Sequence, residues 1–139
     1  MTYGPDLQRA RAQLKVWWIV WAALLVGLCA LWWFFGFLKL LGNEPHANPL
    51  LDLTGLVPLF VSIVIRWLVL PRGIEMARAF VMFITGLALA EACGVLGIFL
   101  GGPYRDDLFL LGVLGIAQYA PFFAKRYLEP KPQGFIPNN

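Results

Sequence analysis

The chain has 139 residues, of which 60% are hydrophobic and 14% are charged, and its formal net charge at pH 7 is +3. Soluble domains contain roughly 45–50% apolar and about 25% charged residues, so a soluble core of this size could not enclose so much apolar surface. The composition therefore excludes an ordinary soluble domain and indicates one integral membrane domain, which we expect over residues 1–127.

Four apolar stretches are long enough to cross a bilayer, whose hydrocarbon core of about 30 Å requires roughly 20 apolar residues in a helix. In chain order, the predicted spans are 14–38, 51–70, 74–101 and 106–126. Short connections between the later spans predict consecutive hairpins, and hence an all-α, antiparallel four-helix bundle.

The first span follows a basic segment, as the apolar region of a signal peptide does. Its apolar run is too long for a signal peptide and no small-residue cleavage site follows, so we expect a retained helix. Pro58 and Pro121 are expected to bend the second and fourth spans. The segment 128–139 is rich in proline and has no periodicity, which predicts a flexible C-terminal tail.

Basic residues are distributed unequally between the two ends of the predicted spans. Nine of the eleven lysines and arginines precede span 1, lie around the turn between spans 2 and 3, or follow span 4. The other two loops hold only Lys39 and Arg105. Cytoplasmic loops carry such an excess, so both termini are predicted to be cytoplasmic.

The positive charge is thus a topological signal that can also favour contact with anionic lipid headgroups, and we expect no nucleic-acid partner. Short loops and the absence of N-x-S/T motifs favour the inner membrane of a bacterium.

Neither a cofactor nor a metal site is recognisable in the sequence. Cys29 and Cys93 both lie inside predicted spans, which argues against a disulfide framework and against a zinc site with four clustered ligands. His46 has only Glu44 near it in the first outer loop. Because no nucleophile–base pair or phosphate-binding loop is visible either, we predict no metal, no cofactor and no enzymatic activity.

The third span has small residues at helix-packing intervals. Gly86, Ala90 and Gly94 recur every four residues, and Gly97 and Gly101 continue the pattern with a phase shift. Small residues at this spacing allow two helix backbones to approach closely in a membrane. We expect this face to pack against another helix, either within the bundle or in another protomer.

One acidic residue, Glu91, interrupts the third span. A charged side chain at the bilayer centre costs about 2.5–3.5 kcal/mol even on the lowest scales, so we expect its carboxyl to be protonated, hydrogen-bonded, or facing water or a cation. Counting from Tyr104 in the outer turn places Gln118 within one helical turn of the same depth, with Ser62 at a similar level. A buried Glu91–Gln118 hydrogen bond helped by Ser62 is predicted, with an ion relay or a ligand contact as alternatives.

A second polar set is predicted at the cytoplasmic end. Glu75 can meet Arg78 at i,i+3, and the long side chain of Arg66 can extend toward the same carboxylate. We predict an ion-pair set that fixes the depth and register of the helices, with a functional gate as the alternative.

The segment LPRGIEMARAFVMFITGLALAEACGVLGIFLG, Leu70 to Gly101, resembles the polar loop and outer helix of the proteolipid c subunits of rotary ATP synthases. The loop matches an R-Q-P-E-like motif and the helix matches an E-A-x-x-x-x-G segment around an ion-carrying carboxylate. The matching positions are Pro71, Glu75, Glu91, Ala92 and Gly97. The resemblance implies that Glu91 carries a proton. The whole chain also resembles small four-helix membrane proteins of bacteria.

From these patterns we predict a structural or accessory membrane subunit that associates through the small-residue face of span 3, with Glu91 as a hydrogen-bonding anchor. Its partners would be the lipid bilayer and either further copies of the chain or a larger membrane complex. The alternative hypothesis is an oligomeric element that translocates protons or cations with Glu91 as carrier.

Overall fold

The computed structural model describes residues 5–39, 50, 54–72, 75–100 and 102–125. The α-helices in chain order are α1 (Pro5–Lys39), α2 (Leu56–Val64), α3 (Met76–Leu100) and α4 (Arg105–Ala117). A π-helical turn (Ile65–Val69) and a 3-10 turn (Leu70–Arg72) continue α2, and further 3-10 turns occupy Gly102–Tyr104 and Pro121–Ala124. The described ranges contain no β-strand, which confirms the all-helical class for them.

Three helical segments are long and apolar enough to cross a membrane: Arg11–Phe35, Met76–Leu100 and Gly102–Ala124. They coincide with the first, third and fourth predicted spans, so a multi-pass membrane protein is supported. The second predicted span is not among them; its described helical turns run from Leu56 to Arg72. The predicted tail, 128–139, lies outside the described residues.

Proline explains where α2 begins. Pro58 lies in the first turn of the helix, where the missing backbone N–H would have had no helical partner. The residue therefore starts the helix here and does not bend it in the middle.

Ring contacts give the direction of α1 relative to α3 and α4. The ring centroids of Trp17 and Phe83 are 4.6 Å apart near the starts of α1 and α3, and those of Phe35 and Phe99 are 4.8 Å apart near their ends. The two helices are therefore parallel. Trp17 also contacts the ring of Phe123 beyond the end of α4, at 5.7 Å, and Trp32 contacts the ring of Phe109 near the start of α4, at 5.0 Å, so α1 is antiparallel to α4.

The predicted small-residue face of α3 packs within the chain. Its described members, Gly86, Ala90, Gly94 and Gly97, are all buried, and the fifth, Gly101, lies outside the described residues. A methyl group on Gly112 of α4 would lie 2.7 Å from the backbone nitrogen of Gly94, and one on Gly97 would lie 2.5 Å from Cβ of Leu108. Gly94 also faces Leu28 of α1, and Gly86 faces Tyr119 beyond the end of α4. Small residues permit so close an approach, and this face is therefore covered within the chain, mainly by α4.

Candidate functional site

The fourth predicted span is broken inside the membrane-length segment. Helix α4 ends at Ala117, and helical turns resume only at Pro121. The ring of a proline disfavours the helical conformation in the residue before it, and Ala120 accordingly has φ −48° and ψ 126°. Such a break removes the i+4 donors of the last helical carbonyls, and short turn bonds replace two of them: the N–H of Tyr119 donates to Ile116 and that of Ala120 to Ala117, both at 3.0 Å. Within a bilayer the carbonyls of such a break need further donors from elsewhere in the protein.

Side chains from two other helical segments supply these donors. Arg66 Nε donates to the backbone carbonyl of Gln118 at 2.7 Å, and the indole N–H of Trp21 donates to the carbonyl of Ile116 at 2.9 Å. The indole N–H of Trp67 donates to Gln118 Oε1 at 3.1 Å. The break is therefore held between α1 on one side and the π-helical turn on the other.

Arg66 is positioned for this role by the π-helical turn that contains it. Turns of this kind are rare and are frequently found at functional sites. The guanidinium carbon lies 4.3 Å from the ring centroid of Phe123 and 5.4 Å from that of Trp67. These aromatic faces favour a cation and replace part of its lost hydration.

A buried hydrogen-bonded group joins α2, α3 and the break. The Tyr119 hydroxyl donates to the backbone carbonyl of Ser62 at 2.6 Å, and Ser62 Oγ donates to the carbonyl of Gly86 at 2.7 Å. Both Ser62 and Tyr119 have 0% exposed surface. The Tyr119 hydroxyl occupies the space that any side chain at Gly86 would need. The group therefore ties three segments together at one point.

Glu91 lies away from this polar group and faces α1. Its side chain is half-buried, and a methyl group on Gly27 of α1 would lie 4.0 Å from its Oε1 atom. Within the described part of the chain, no residue forms a hydrogen bond or an ion pair with its carboxylate. The carboxyl is therefore available to a group from outside these residues.

The predicted Glu91–Gln118 hydrogen bond is absent, which corrects the sequence-based expectation. Gln118 instead interacts with Arg66 and Trp67, and Ser62 interacts with Tyr119. The predicted polar set is thus divided, with Gln118 and Ser62 on the side of α2 and Glu91 on the side of α1.

Side-chain direction and hairpin register together explain this correction, because Glu91 faces α1 whereas Gln118 faces the π-helical turn that follows α2. Gly97 lies against Leu108, and Gly86 lies against Tyr119, so the midpoint of the hairpin precedes Tyr104. The register predicted by counting from Tyr104 therefore differed from the observed register of α4 against α3 by about one helical turn, or roughly 5 Å. An error of that size is enough to assign the wrong partner to an intramembrane side chain.

The predicted ion-pair set at the inner end is also not formed. Arg66 is engaged at the break in the fourth span, and Glu75 and Arg78 have exposed side chains with no ion pair between them in the described residues. The carbonyl of Glu75 accepts the backbone N–H of Ala79 at 3.0 Å as α3 begins. An exposed ion pair with Glu75 would add little free energy of folding, whereas a hydrogen bond from Arg66 satisfies a backbone carbonyl within the membrane. Arg66 is therefore engaged at the break.

Sequence reasoning missed Tyr119, Trp21 and Trp67. The signal that could have identified them is Pro121, because a proline-induced break requires hydrogen-bond donors at the same depth on neighbouring helices. At the other end of α4, Arg105 is buried and its Nη2 lies 3.4 Å from the carbonyl of Trp32.

Other chemistry is sparse in the described ranges. No group of three or more histidine, cysteine, aspartate or glutamate side chains is arranged to hold a metal ion there. Cys29 is an exposed free thiol and Cys93 a buried one. His46 and Glu44 lie outside the described residues.

No family model, no curated protein and no solved structure matches the chain. The resemblance to proteolipid c subunits therefore rests on the residues of Leu70 to Gly101 alone.

Proposed function

We propose that the protein is a non-enzymatic, multi-pass membrane protein that serves as a structural or accessory subunit of a homo-oligomer or a larger membrane complex. The observation that carries this proposal is the half-buried Glu91 carboxyl, which lies inside a membrane-length helix and has no partner among the described residues. A charged carboxyl within a bilayer is costly, so a donor or a proton must be supplied to it. A neighbouring subunit can supply that donor.

The surface beside Glu91 suits a neighbouring helix. Gly27 lies next to the carboxyl on α1, and Ala88 is exposed one turn earlier on α3. Exposed apolar side chains continue this face, with Ile84 at 38% and Val81 at 57% exposure. Small residues permit close helix contact, and a polar side chain beside them adds a hydrogen bond. We call the surface formed by Gly27, Val81, Ile84, Ala88 and Glu91 the Glu91 face.

This proposal replaces the sequence-based choice of contact surface. The glycine-containing stripe of α3 was expected to mediate association, but α4 of the same chain covers it. Association through the Glu91 face requires no rearrangement of α4, whereas association through the stripe would require α4 to separate from α3.

We further propose four spans, cytoplasmic termini and a bacterial inner membrane. The support is the charge distribution, because six exposed basic side chains lie at the start of α1, around the turn before α3 or after the break. These residues are Arg9, Arg11, Lys15, Arg72, Arg78 and Lys125. An excess of basic residues marks cytoplasmic ends.

The alternative function is an oligomeric element that translocates protons or cations. The partner-free carboxyl favours this reading too, since a carrier must accept and release a proton or ion at that site. The resemblance of Glu91 and Ala92 to the ion-carrying segment of c subunits gives additional support.

Substitutions at Glu91 separate the two functions. Glu91→Gln retains shape and hydrogen-bonding capacity but cannot release a proton, whereas Glu91→Leu removes both properties. Thr85→Val is a matched control, because Thr85 is exposed on α3 but points about 120° away from Glu91.

The experiment measures the mass of the extracted assembly and proton flux into vesicles that contain the purified protein. An anchor predicts that Glu91→Gln and Thr85→Val retain the assembly and Glu91→Leu loses it, with no flux from any variant. A carrier predicts flux from the wild type and from Thr85→Val that Glu91→Gln abolishes. If Glu91→Leu assembles normally, the anchor proposal is wrong.

A further inference from the structure

A cleft of about 400 Å³ opens between residues 13–17 of α1 and the first two turns of α3. It is lined by Gln13, Val16, Trp17, Met76, Ala77 and Phe80. The two helices are parallel, and their membrane-length segments begin at Arg11 and Met76, so the cleft lies where both enter the membrane. This depth corresponds to the boundary between lipid headgroups and acyl chains.

The inner wall of the cleft is apolar and firmly packed. Trp17 is 1% exposed, and its ring centroid lies 5.2 Å from that of Phe80 and 4.6 Å from that of Phe83. Interlocked aromatic rings of this kind leave little freedom to close the space. The cleft is therefore a pre-formed apolar surface, as small-molecule sites usually are.

The end of the cleft nearest the start of α1 is polar and positively charged. Gln13 lies among the lining residues, and Arg9 is exposed one turn earlier on the same face of α1, before the membrane-length segment begins. Lys15 is exposed on the opposite face of α1, and Arg78 is exposed in the first turn of α3. The apolar space therefore leads toward the Arg9 guanidinium near the start of α1.

We propose that this cleft binds an anionic phospholipid, with one acyl chain against Trp17 and the headgroup phosphate at Arg9 and Gln13. An apolar chain attached to a negatively charged group matches both ends of the cleft. Basic pockets between membrane helices on the cytoplasmic side bind anionic headgroups in this way. The cleft volume is near the lower limit for ligand sites, which suits part of one acyl chain and not a whole lipid.

The test uses the full chain reconstituted into phosphatidylcholine vesicles with a small fraction of brominated phosphatidylglycerol or brominated phosphatidylcholine. Bromine quenches tryptophan fluorescence at contact, so the ratio of quenching by the two lipids measures headgroup preference. The wild type should prefer phosphatidylglycerol. Arg9→Gln should reduce that preference roughly five-fold, the factor that corresponds to one basic side chain near an anionic surface.

Lys15→Gln is the matched control, because it removes the same charge from the same helix end on the opposite face. It should leave the preference close to that of the wild type. Ala77→Phe fills the cleft and should reduce the specific component of quenching by both lipids. Equal quenching of the wild type by the two lipids, or equal effects of Arg9→Gln and Lys15→Gln, would overturn the proposal.

Discussion

A methyl group at Gly86 tests the packing around the buried hydroxyl of Tyr119. In the Gly86→Ala variant, the new Cβ would overlap the Tyr119 hydroxyl and would lie 2.8 Å from its Cε1 atom. The tyrosine ring must therefore move, which breaks its 2.6 Å hydrogen bond to the carbonyl of Ser62 and disturbs the bond from Ser62 to residue 86.

The expected magnitude follows from three contributions. Overpacking a tight core costs about 1–3 kcal/mol. Loss of two hydrogen bonds within a membrane adds about 1 kcal/mol at an average of about 0.6 kcal/mol each. The better helix propensity of alanine offsets up to about 1 kcal/mol. We expect Gly86→Ala to lower the free energy of unfolding by about 1–3 kcal/mol.

Thr85→Ala is the matched control for this substitution. Thr85 is exposed on α3 next to Gly86 and points away from Glu91, so the better propensity of alanine should leave stability unchanged or improved by less than about 1 kcal/mol. The assay is unfolding by SDS titration in mixed micelles, followed by helical circular dichroism. Adding Tyr119→Phe to Gly86→Ala removes the overlapping oxygen, so the two effects should be less than additive. If Gly86→Ala and Thr85→Ala unfold alike, the described packing is wrong.

Three further predictions concern the break in the fourth span and the two thiols. Arg66→Lys removes the Nε donor to the carbonyl of Gln118, so it should destabilise the protein by about 1.5–3 kcal/mol in the same SDS titration; unchanged stability would show that the carbonyl has no need of Arg66. Trp21→Phe removes an indole donor to the break, and we expect a smaller loss of about 0.5–1.5 kcal/mol, together with faster amide hydrogen exchange after the break. A maleimide reacts with the thiolate, which forms in water and not against lipid, so neither Cys29 nor Cys93 should be labelled in intact membranes and both should react after unfolding; labelling of Cys29 before unfolding would contradict its place in a membrane-length segment.

Composition and charge patterning were sufficient to predict the helical class and three of the membrane-length helices. These properties depend on long stretches of sequence, so errors at single residues do not change them. The small-residue spacing at Gly86, Ala90 and Gly94 likewise predicted a buried face, because close backbone contact leaves few alternatives to glycine and alanine.

The individual partners of polar side chains could not be predicted in the same way. Glu91 and Gln118 were assigned to each other by counting from Tyr104, which estimates depth to about one turn but does not give the direction in which each side chain points. Arg66 was assigned to Glu75 on the assumption of regular α-helix, but it lies in a π-helical turn and is used at the break. Short turns and irregular helix geometry determine such partners, and both depend on tertiary packing.

The most direct measurement of the central proposal is photo-cross-linking from the Glu91 face in native membranes. A photoreactive residue would replace Ala88, one turn from Glu91, and Leu110 on α4 would be the exposed control, at 56% exposure. We predict an adduct to a second polypeptide from position 88 that persists in Glu91→Gln, disappears in Glu91→Leu and is absent from position 110. No adduct from position 88, or one that survives Glu91→Leu, would contradict a role for Glu91 in subunit association.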